Sequence, residues 1–236
     1  GEAIYGVGGG ITWDSTWQSE YREVHQKAAV LYRKQARFQL ITTGKISQKN
    51  LLFEEQHLER LRTASRYFAF PYDAEDLRQK IEAECQSCDI DQDYRLRISL
   101  SKSGEIELSR QILTPLSLHF CQAKLCLQEA NLQQAFTYFK TTYRPHLNLG
   151  EQEIIYHNKS GELLETSIGN LVLKIAGKLY TPPIRLGILP GIYRQYLLET
   201  GQVEEKVLTL TDFAQAEAIY GCNAVRGLYE LSLEEN

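Results

Sequence analysis

The amino-acid sequence predicts a two-domain protein of the α+β or mixed α/β class. A chain of 236 residues is long enough to bury two modest hydrophobic cores. Strand patterns dominate, and helical patterns lie between them without the regular strand–helix alternation of a doubly wound sheet. A hairpin is predicted over Tyr94 to Leu100 and Glu105 to Gln111, and Thr114-Pro115 after it indicates a hinge.

Hydrophobic periodicity predicts the other elements. A glycine-rich strand is predicted over Gly1 to Thr12 and a helix over Thr16 to Tyr32, with Asp14 and Ser15 as candidate caps. Further helices are predicted over Glu54–Phe68, Asp73–Glu84 and Gly191–Thr200. Further strands are predicted at Phe38–Thr43, Leu51–Phe53, Leu118–Gln122, Gln152–His157, Asn170–Ala176 and Lys178–Thr181, and near Val207 and Ala218.

Composition and charge narrow the functional classes. The formal net charge is -4 and basic residues are interspersed with acidic ones, so a nucleic-acid partner is not expected. No apolar run is long enough to span a membrane, and the N-terminus lacks the features of a signal peptide, which predicts a cytoplasmic protein. The five cysteines are expected to be reduced thiols, and no metal site is predicted.

Lys140 is the first candidate for chemistry. It follows the apolar, strand-like segment Ala135 to Phe139 and precedes Arg144. Desolvation and a cationic neighbour lower the pKa of a lysine, which is what a Schiff-base nucleophile requires. The alternative is an ordinary surface lysine beside a strand, because lysine side chains are seldom buried.

Two later segments carry further candidate groups. Glu165 stands among hydroxyls and a glycine ahead of a strand, where its carboxylate can hold a cationic ring nitrogen or simply mark a strand edge. The loop from Gly187 to Gly191 opens a helix, and the N–H groups at such a helix start form a natural phosphate site. Many helices begin in this way without binding anything.

The order of these segments resembles the motifs of one enzyme family. In chain order the motifs are F-Q-L-I-T-T at 38–43, H-L-E-R-L at 57–61, Lys140, E-T-S-I-G-N at 165–170, L-P-G-I-Y-R at 189–194 and G-C-N-A-V-R-G at 221–227. They resemble the class IV aminotransferase family, the fold type IV pyridoxal-phosphate (PLP) enzymes, over about Arg37 to Leu233. The resemblance implies a D-amino acid aminotransferase-like fold, with a small α/β domain at 35–114 and a larger, barrel-like PLP-binding domain at 115–236.

The same resemblance implies a cofactor site. Lys140 would form the Schiff base with PLP and act as acid and base, and Glu165 would pair with the pyridinium nitrogen. Arg60 would bind the cofactor phosphate, and His57 is expected to support Arg60 rather than react. Further cofactor contacts are implied for Ser167, Ile168, Ile192, Tyr193 and Asn223.

The segment K-T-T-Y-R at 140–144 is similar to aminodeoxychorismate lyases, whereas branched-chain aminotransferases usually carry a K-x-x-G-x-Y-like stretch. The C-N-A-V-R-G segment is similar to the lyase pattern as well. Implied substrate contacts are Thr43, Tyr143 and Arg226, and the alternative for Arg226 is a solvated surface residue. The strand F-Q-L-I-T-T departs from the F-E-L-I-E-T of bifunctional relatives and lacks both acids.

Residues 1–34 resemble a second family. Tyr5 to Ser15, followed by Glu20, Glu23 and Lys27, resembles the last strand and helix of chorismate-binding synthases such as aminodeoxychorismate synthase component I. The rest of that domain is not in this chain, so its magnesium and chorismate sites cannot assemble here. The resemblance implies that the chain is the C-terminal part of a fusion with the synthase.

Together the two resemblances imply a PLP-dependent lyase of folate biosynthesis. It would convert the small molecule 4-amino-4-deoxychorismate to 4-aminobenzoate and pyruvate, at a site that lies between the two domains and that a homodimer completes. One alternative is a class IV transaminase acting on branched-chain or D-amino acids. Another is a non-catalytic domain that scaffolds the synthase.

Overall fold

The computed structural model describes residues 4–32, 36–117, 121–128, 135–150 and 152–233, without the side chains of residues 30–32. The chain divides into two compact units, Gly1–Arg37 and Phe38–Asn236. The predicted boundaries at residues 34 and 114 stay predictions. None of the described helices is long and apolar enough to cross a bilayer.

The first unit is built around one helix, α1 (Trp17–Tyr32), as predicted. Its cap is Thr16, one residue later than predicted, whose hydroxyl accepts a hydrogen bond of 3.2 Å from the backbone N–H of Ser19. The predicted strand is wrong for residues 4–12, which form no strand. Glycine-rich backbone needs a neighbouring strand to hold it extended, and the described part of this unit offers none.

The second unit begins with an antiparallel sheet and two helices. Among the described residues, the order in this sheet is β2-β1-β3-β4. The strands are β1 (Leu40–Ser47), β2 (Asn50–Leu51), β3 (Tyr94–Leu100) and β4 (Ile106–Ile112), and the helices are α2 (Glu54–Phe68) and α3 (Ala74–Gln86). One face of the sheet packs on the helices through a buried cluster that includes Leu40, Leu58, Leu77 and Leu96. Because side chains alternate along a strand, those of the other face point away from the helices.

The remainder of the unit is a larger sheet that closes on itself. In the part of the chain that the structure describes, its order is β10-β9-β8-β11-β12-β5-β6-β7, and β7 also pairs with β8, so the strands from β8 to β7 form a ring. The strands are β5 (Gln122–Leu127), β6 (Glu153–His157), β7 (Leu163–Thr166), β8 (Asn170–Ile175), β9 (Lys178–Thr181), β10 (Glu204–Glu205), β11 (Ala218–Asn223) and β12 (Gly227–Leu233). The helices are α4 (Ala135–Tyr138), α5 (Ile192–Glu199) and α6 (Leu210–Ala214).

Several predicted elements differ from the observed ones. The segment ahead of Lys140 is the short helix α4 and not a strand, and the N–H of Phe139 closes its turn by donating to the carbonyl of Ala135 at 3.0 Å. A short apolar run does not distinguish the two structures. Residues 118–120 of the predicted strand lie outside the described residues, and β5 begins at Gln122. The predicted mixed α/β fold, with its barrel-like second part, is confirmed.

Candidate active site

A cavity of about 480 Å³ lies between the two sheets of the second unit. Its volume is within the range of roughly 300–1,000 Å³ that is usual for small-molecule sites. The outward face of the first sheet contributes one wall, and the turns at one end of the ring contribute the other. Most of the predicted site residues line it: Thr43, Arg60, Lys140, Glu165, Ser167, Ile168, Ile192, Asn223 and Arg226.

Lys140 is placed by the backbone that surrounds it. The N–H of Ile41 in β1 donates to the carbonyl of Lys140 at 2.9 Å, and Leu40 forms a bridge with Thr141. The N–H of Gln39 donates to the hydroxyl of Thr142 at 2.9 Å. The segment that carries the lysine therefore runs alongside the start of β1.

The electrostatic surroundings of Lys140 disfavour its charged form. Burial lowers the pKa of its amine well below the usual value, and the positive charges of Arg60 and Arg144 lower the pKa further. A larger fraction of this amine is therefore neutral near pH 7 than for a surface lysine. A neutral amine is what nucleophilic attack on an aldehyde requires.

Glu165 is the second-last residue of β7, and its pairing with Asn170 of β8 closes the ring. The side chain is 3% exposed, and the N–H of Leu189 donates to Oε2 at 3.3 Å. Burial raises the pKa of Glu165 to about 8, while this hydrogen bond and the charges of Arg144 and Lys140 oppose the rise. The carboxyl group is thus buried without an ion-pair partner among the described residues.

The loop from Leu189 to Gly191 is held from three sides. Glu165 accepts from the N–H of Leu189, Asn170 Nδ2 donates to the carbonyl of Leu189 at 2.8 Å, and Arg60 donates to the carbonyl of Pro190 at 2.7 Å. A Cβ at position 191 would lie 1.8 Å from Asn170 Oδ1, so glycine leaves room for the Asn170 side chain in its present position. The start of α5 is therefore fixed against the cavity, where Ile192 lines the wall.

The turn that contains Ser167 and Ile168 is held by hydrogen bonds to β6. Ser167 Oγ accepts from the N–H of Ile154 at 2.9 Å, and the N–H of Ile168 donates to Glu153 Oε1 at 3.2 Å. Asn223 Nδ2 donates to the carbonyl of Ile168 at 3.4 Å, so the end of β11 is joined to this turn.

His57 is buried behind β1 and contacts Thr42, with 2.6 Å between Nδ1 and the threonine hydroxyl. Burial, together with the charges of Arg60 and Lys140, lowers the pKa of His57 to about 3, so the ring is neutral near pH 7. Gly44 packs directly on it, since a Cβ there would lie 2.6 Å from Nε2. The histidine is part of the support of this wall.

Two predicted residues lie outside the cavity lining. Tyr143 is 41% exposed and packs edge-on against Phe136, with 5.1 Å between ring centroids. Tyr193 of α5 packs against Phe53 and Tyr196, with ring centroids 6.0 and 5.5 Å apart.

Sequence reasoning missed several cavity residues. Arg95 and Arg97 of β3 line the cavity, as does Arg144, which had been considered only as a neighbour of Lys140. The signal in the sequence was two arginines at alternate positions of a strand whose other residues, Leu96, Ile98 and Leu100, are apolar on the helix side.

Comparison with known proteins identifies the family. The model of the family described as amino-transferase class IV matches residues 39–232. The chain belongs to the class IV aminotransferase family. This is a family of PLP enzymes, and residues 1–33 of this class IV chain also match the model of the chorismate-binding enzymes.

Individual relatives are more distant. The chain is 30% identical over 119 residues to the aminodeoxychorismate lyase of Saccharomyces cerevisiae, a match covering 39% of this chain and 32% of the yeast protein. In fold, it is similar to the PLP-bound form of a hypothetical aminotransferase from Mycobacterium tuberculosis, at 18% identity and a TM-score of 0.68, covering 88% of this chain and 83% of the other. A fold IV transaminase from Curtobacterium pusillum gives 18% identity and a TM-score of 0.69, with coverage of 83% and 78%.

Proposed function

We propose that this class IV enzyme is a PLP-dependent aminodeoxychorismate lyase that converts 4-amino-4-deoxychorismate to 4-aminobenzoate and pyruvate. The observation that carries the proposal is the cavity in which a lysine of lowered pKa and a buried carboxyl face the same space, Lys140 and Glu165. The K-T-T-Y-R context of Lys140 and the similarity to the yeast lyase favour the lyase reaction over transamination.

The cavity residues fit PLP. Glu165 is a buried carboxyl that lacks an ion-pair partner in the described part of the chain, and a protonated ring nitrogen would stabilise its ionised form. Arg60, beside the N-terminus of α5, offers charge for a phosphate group. We propose that Glu165 holds the ring nitrogen and that Arg60 binds the phosphate. The other proposed cofactor contacts are Ser167, Ile168, Asn223 and the backbone N–H groups of Ile192 and Tyr193.

PLP supplies an electron sink when it is bound. Lys140 does the proton chemistry: its neutral amine takes the proton from the ring carbon that bears the substrate's amino group, and it returns a proton as the enolpyruvyl ether leaves as pyruvate. The Ile41–Lys140 backbone hydrogen bond holds the backbone that carries this amine beside β1. Thr43 and Arg226 line the cavity and are proposed to position the substrate, and the same role is proposed for the more exposed Tyr143.

The family resemblance of residues 1–33 supports a fusion. In the first unit, large apolar side chains such as Trp13 and Trp17 are exposed. We propose that they pack within a chorismate-binding synthase domain in the parent protein, which would make the substrate that the lyase consumes. A homodimer is proposed on the family resemblance alone.

The test is the product of the purified enzyme with PLP and 4-amino-4-deoxychorismate. We expect 4-aminobenzoate and pyruvate in equal amounts, with no need for a keto-acid acceptor. If an amino acid alone instead converts the cofactor to its amine form and a keto acid appears, the chain is a transaminase. If neither reaction occurs in PLP-loaded protein, the scaffold alternative is favoured.

A further inference from the structure

Phe53 occupies a strained backbone position at the start of α2. Its φ of 59° and ψ of 35° lie in the left-handed region, which a bulky residue rarely adopts. The residue is also the N-cap of α2, where Ser, Thr, Asp or Asn is favoured because their side chains accept from helix N–H groups. A phenyl ring cannot do so. A residue that is unfavourable in both respects persists only where its surroundings hold it.

The surroundings of the Phe53 ring are two tyrosines of α5. The ring lies 6.0 Å from Tyr193 and 5.4 Å from Tyr196, measured between centroids, and the two tyrosine rings are 5.5 Å apart. These separations are those of attractive aromatic pairs. Tyr193 also packs on a buried cluster of the ring and α5 that includes Leu197 and Cys222. The side chain of Phe53 therefore joins the start of α2 to α5.

The backbone on either side of Phe53 is tied to the first sheet and to α2. The N–H of Leu52 donates to the carbonyl of Lys45 in β1 at 2.9 Å, and the carbonyl of Phe53 accepts from the N–H of His57 at 3.1 Å. Phe53 thus lies between the β1–β2 hairpin and the first turn of α2. A displacement of its ring would carry the start of the helix with it.

Helix α2 meets the same region a second time at Arg60. This arginine donates to the carbonyl of Pro190 at 2.7 Å, directly before α5. Arg60 comes seven residues after Phe53, which places the two residues on the same side of α2 and about 10 Å apart along its axis. The two contacts fix α2 against α5 and the loop before it, so together they set the distance from Arg60 to the first N–H groups of α5.

We propose that Phe53 is a positioning residue for the phosphate of the cofactor. Its ring holds α2 against α5, so that Arg60 and the N-terminus of α5 stay at the spacing that one phosphate group bridges. This inference rests on the proposed function, in which these two groups bind the phosphate of PLP. The cavity lining includes Arg60 and Ile192 but not Phe53, so Phe53 acts through them.

The test compares PLP with pyridoxal, which is the same molecule without the phosphate. Both are titrated into the cofactor-free protein and followed by absorbance, which needs no turnover. We expect the wild type to prefer PLP. Phe53→Gly removes the ring and relieves the left-handed strain, so the fold should survive. In this variant we expect PLP to bind about tenfold more weakly, while the affinity for pyridoxal stays within about twofold.

Ala69→Gly is the matched control. Ala69 caps the other end of α2 with a similar left-handed backbone, at a φ of 54° and a ψ of 49°. The substitution relieves the same kind of strain in the same helix and leaves the contact with α5 intact, so the preference for PLP should not change. Phe53→Tyr keeps the ring and should retain the preference as well.

Thermal unfolding of the cofactor-free variants distinguishes a lost fold from a lost preference. If Phe53→Gly does not fold, Tyr196→Ala removes a partner ring at a position that is 38% exposed. The same selective loss of PLP affinity is expected there.

The outcomes separate the positioning role from the reaction. A full preference for PLP in Phe53→Gly, or an equal loss for both ligands, overturns the role of Phe53 even if the enzyme is a lyase. A loss confined to PLP that Phe53→Tyr does not show supports it. If that loss occurs in a protein that forms no 4-aminobenzoate, the positioning role stands and the proposed reaction fails. A wild type that does not prefer PLP overturns both the proposed phosphate site and the role of Phe53.

Discussion

The backbone N–H of Ile41 and the carbonyl oxygen of Lys140 are joined by a hydrogen bond of 2.9 Å. This bond ties the candidate nucleophile to β1, the strand that also carries Thr43 into the cavity. The hydroxyl of Thr142 accepts from the N–H of Gln39 at 2.9 Å and holds the same junction. The position of the amine therefore depends on the start of β1 as much as on its own segment.

Thr142→Val removes that acceptor while keeping the shape of the side chain. We expect a loss of about 0.5–1 kcal/mol in the free energy of unfolding, because the bond is exposed, and a several-fold lower kcat. Thr142→Ser keeps the hydroxyl and should behave like the wild type. Denaturant unfolding and steady-state kinetics measure the two effects, and a valine variant equal to wild type in both would contradict the tether.

Glu165→Gln should stabilise the cofactor-free protein as the pH rises. The folded-state pKa of Glu165 is about 8, above its usual value of 4.5, so ionisation opposes folding from pH 4.5 up to pH 8. The variant lacks this penalty, and its advantage should grow by about 1.4 kcal/mol for each pH unit in that window. Urea unfolding at pH 5 and pH 7 measures it. Glu82→Gln, at an exposed position of α3, is the control, and a pH-independent advantage for Glu165→Gln would refute the burial argument.

Burial of His57 should lower the free energy of unfolding as the pH falls. Its folded-state pKa is about 3, below the usual 6.5, so the unfolded chain binds a proton that the folded chain does not as the pH falls below 6.5. At pH 5 this costs the wild type about 2 kcal/mol relative to pH 7. His57→Asn keeps a polar partner for Thr42 without titrating. Relative to the wild type, His57→Asn should therefore gain stability between pH 7 and pH 5. A constant difference in unfolding free energy would show that His57 is protonated at pH 5 in the folded protein.

Gly191→Ala tests how the loop after Leu189 is held. The new Cβ would collide with Asn170 Oδ1, so we expect Asn170 to move and PLP to bind about tenfold more weakly. Asn170→Ala removes the colliding atoms. The double variant should then be no worse than Asn170→Ala alone, as measured by PLP titration. Additive losses would place the cause elsewhere.

Much of this architecture could be predicted from the sequence. Helix α2 and strands β3 and β9 have the predicted bounds, because long periodic segments and a tight hairpin turn determine them locally. Periodicity failed at α4, where the run is too short to distinguish helix from strand. It failed again at residues 4–12, where the glycine-rich backbone has no neighbouring strand in the described part of the first unit.

Only some of the cavity residues could be predicted from the sequence. Lys140, Glu165 and Arg60 could be proposed because motifs carry them. The position of Arg95 and Arg97 in the cavity could not be predicted. It depends on which face of β3 meets the ring, and the pairing of the strands across the sheet determines that face. The exposed position of Tyr143 could not be predicted either, because it depends on how the segment after Lys140 runs beside β1.

The most direct test asks which amine holds the cofactor. The protein is incubated with PLP, the link between amine and aldehyde is reduced with borohydride, and the peptides are mapped by mass spectrometry. We expect one labelled peptide, containing Lys140, and no label there in a folded Lys140→Arg variant. A label on another lysine, or none on a folded protein that contains PLP, would contradict it.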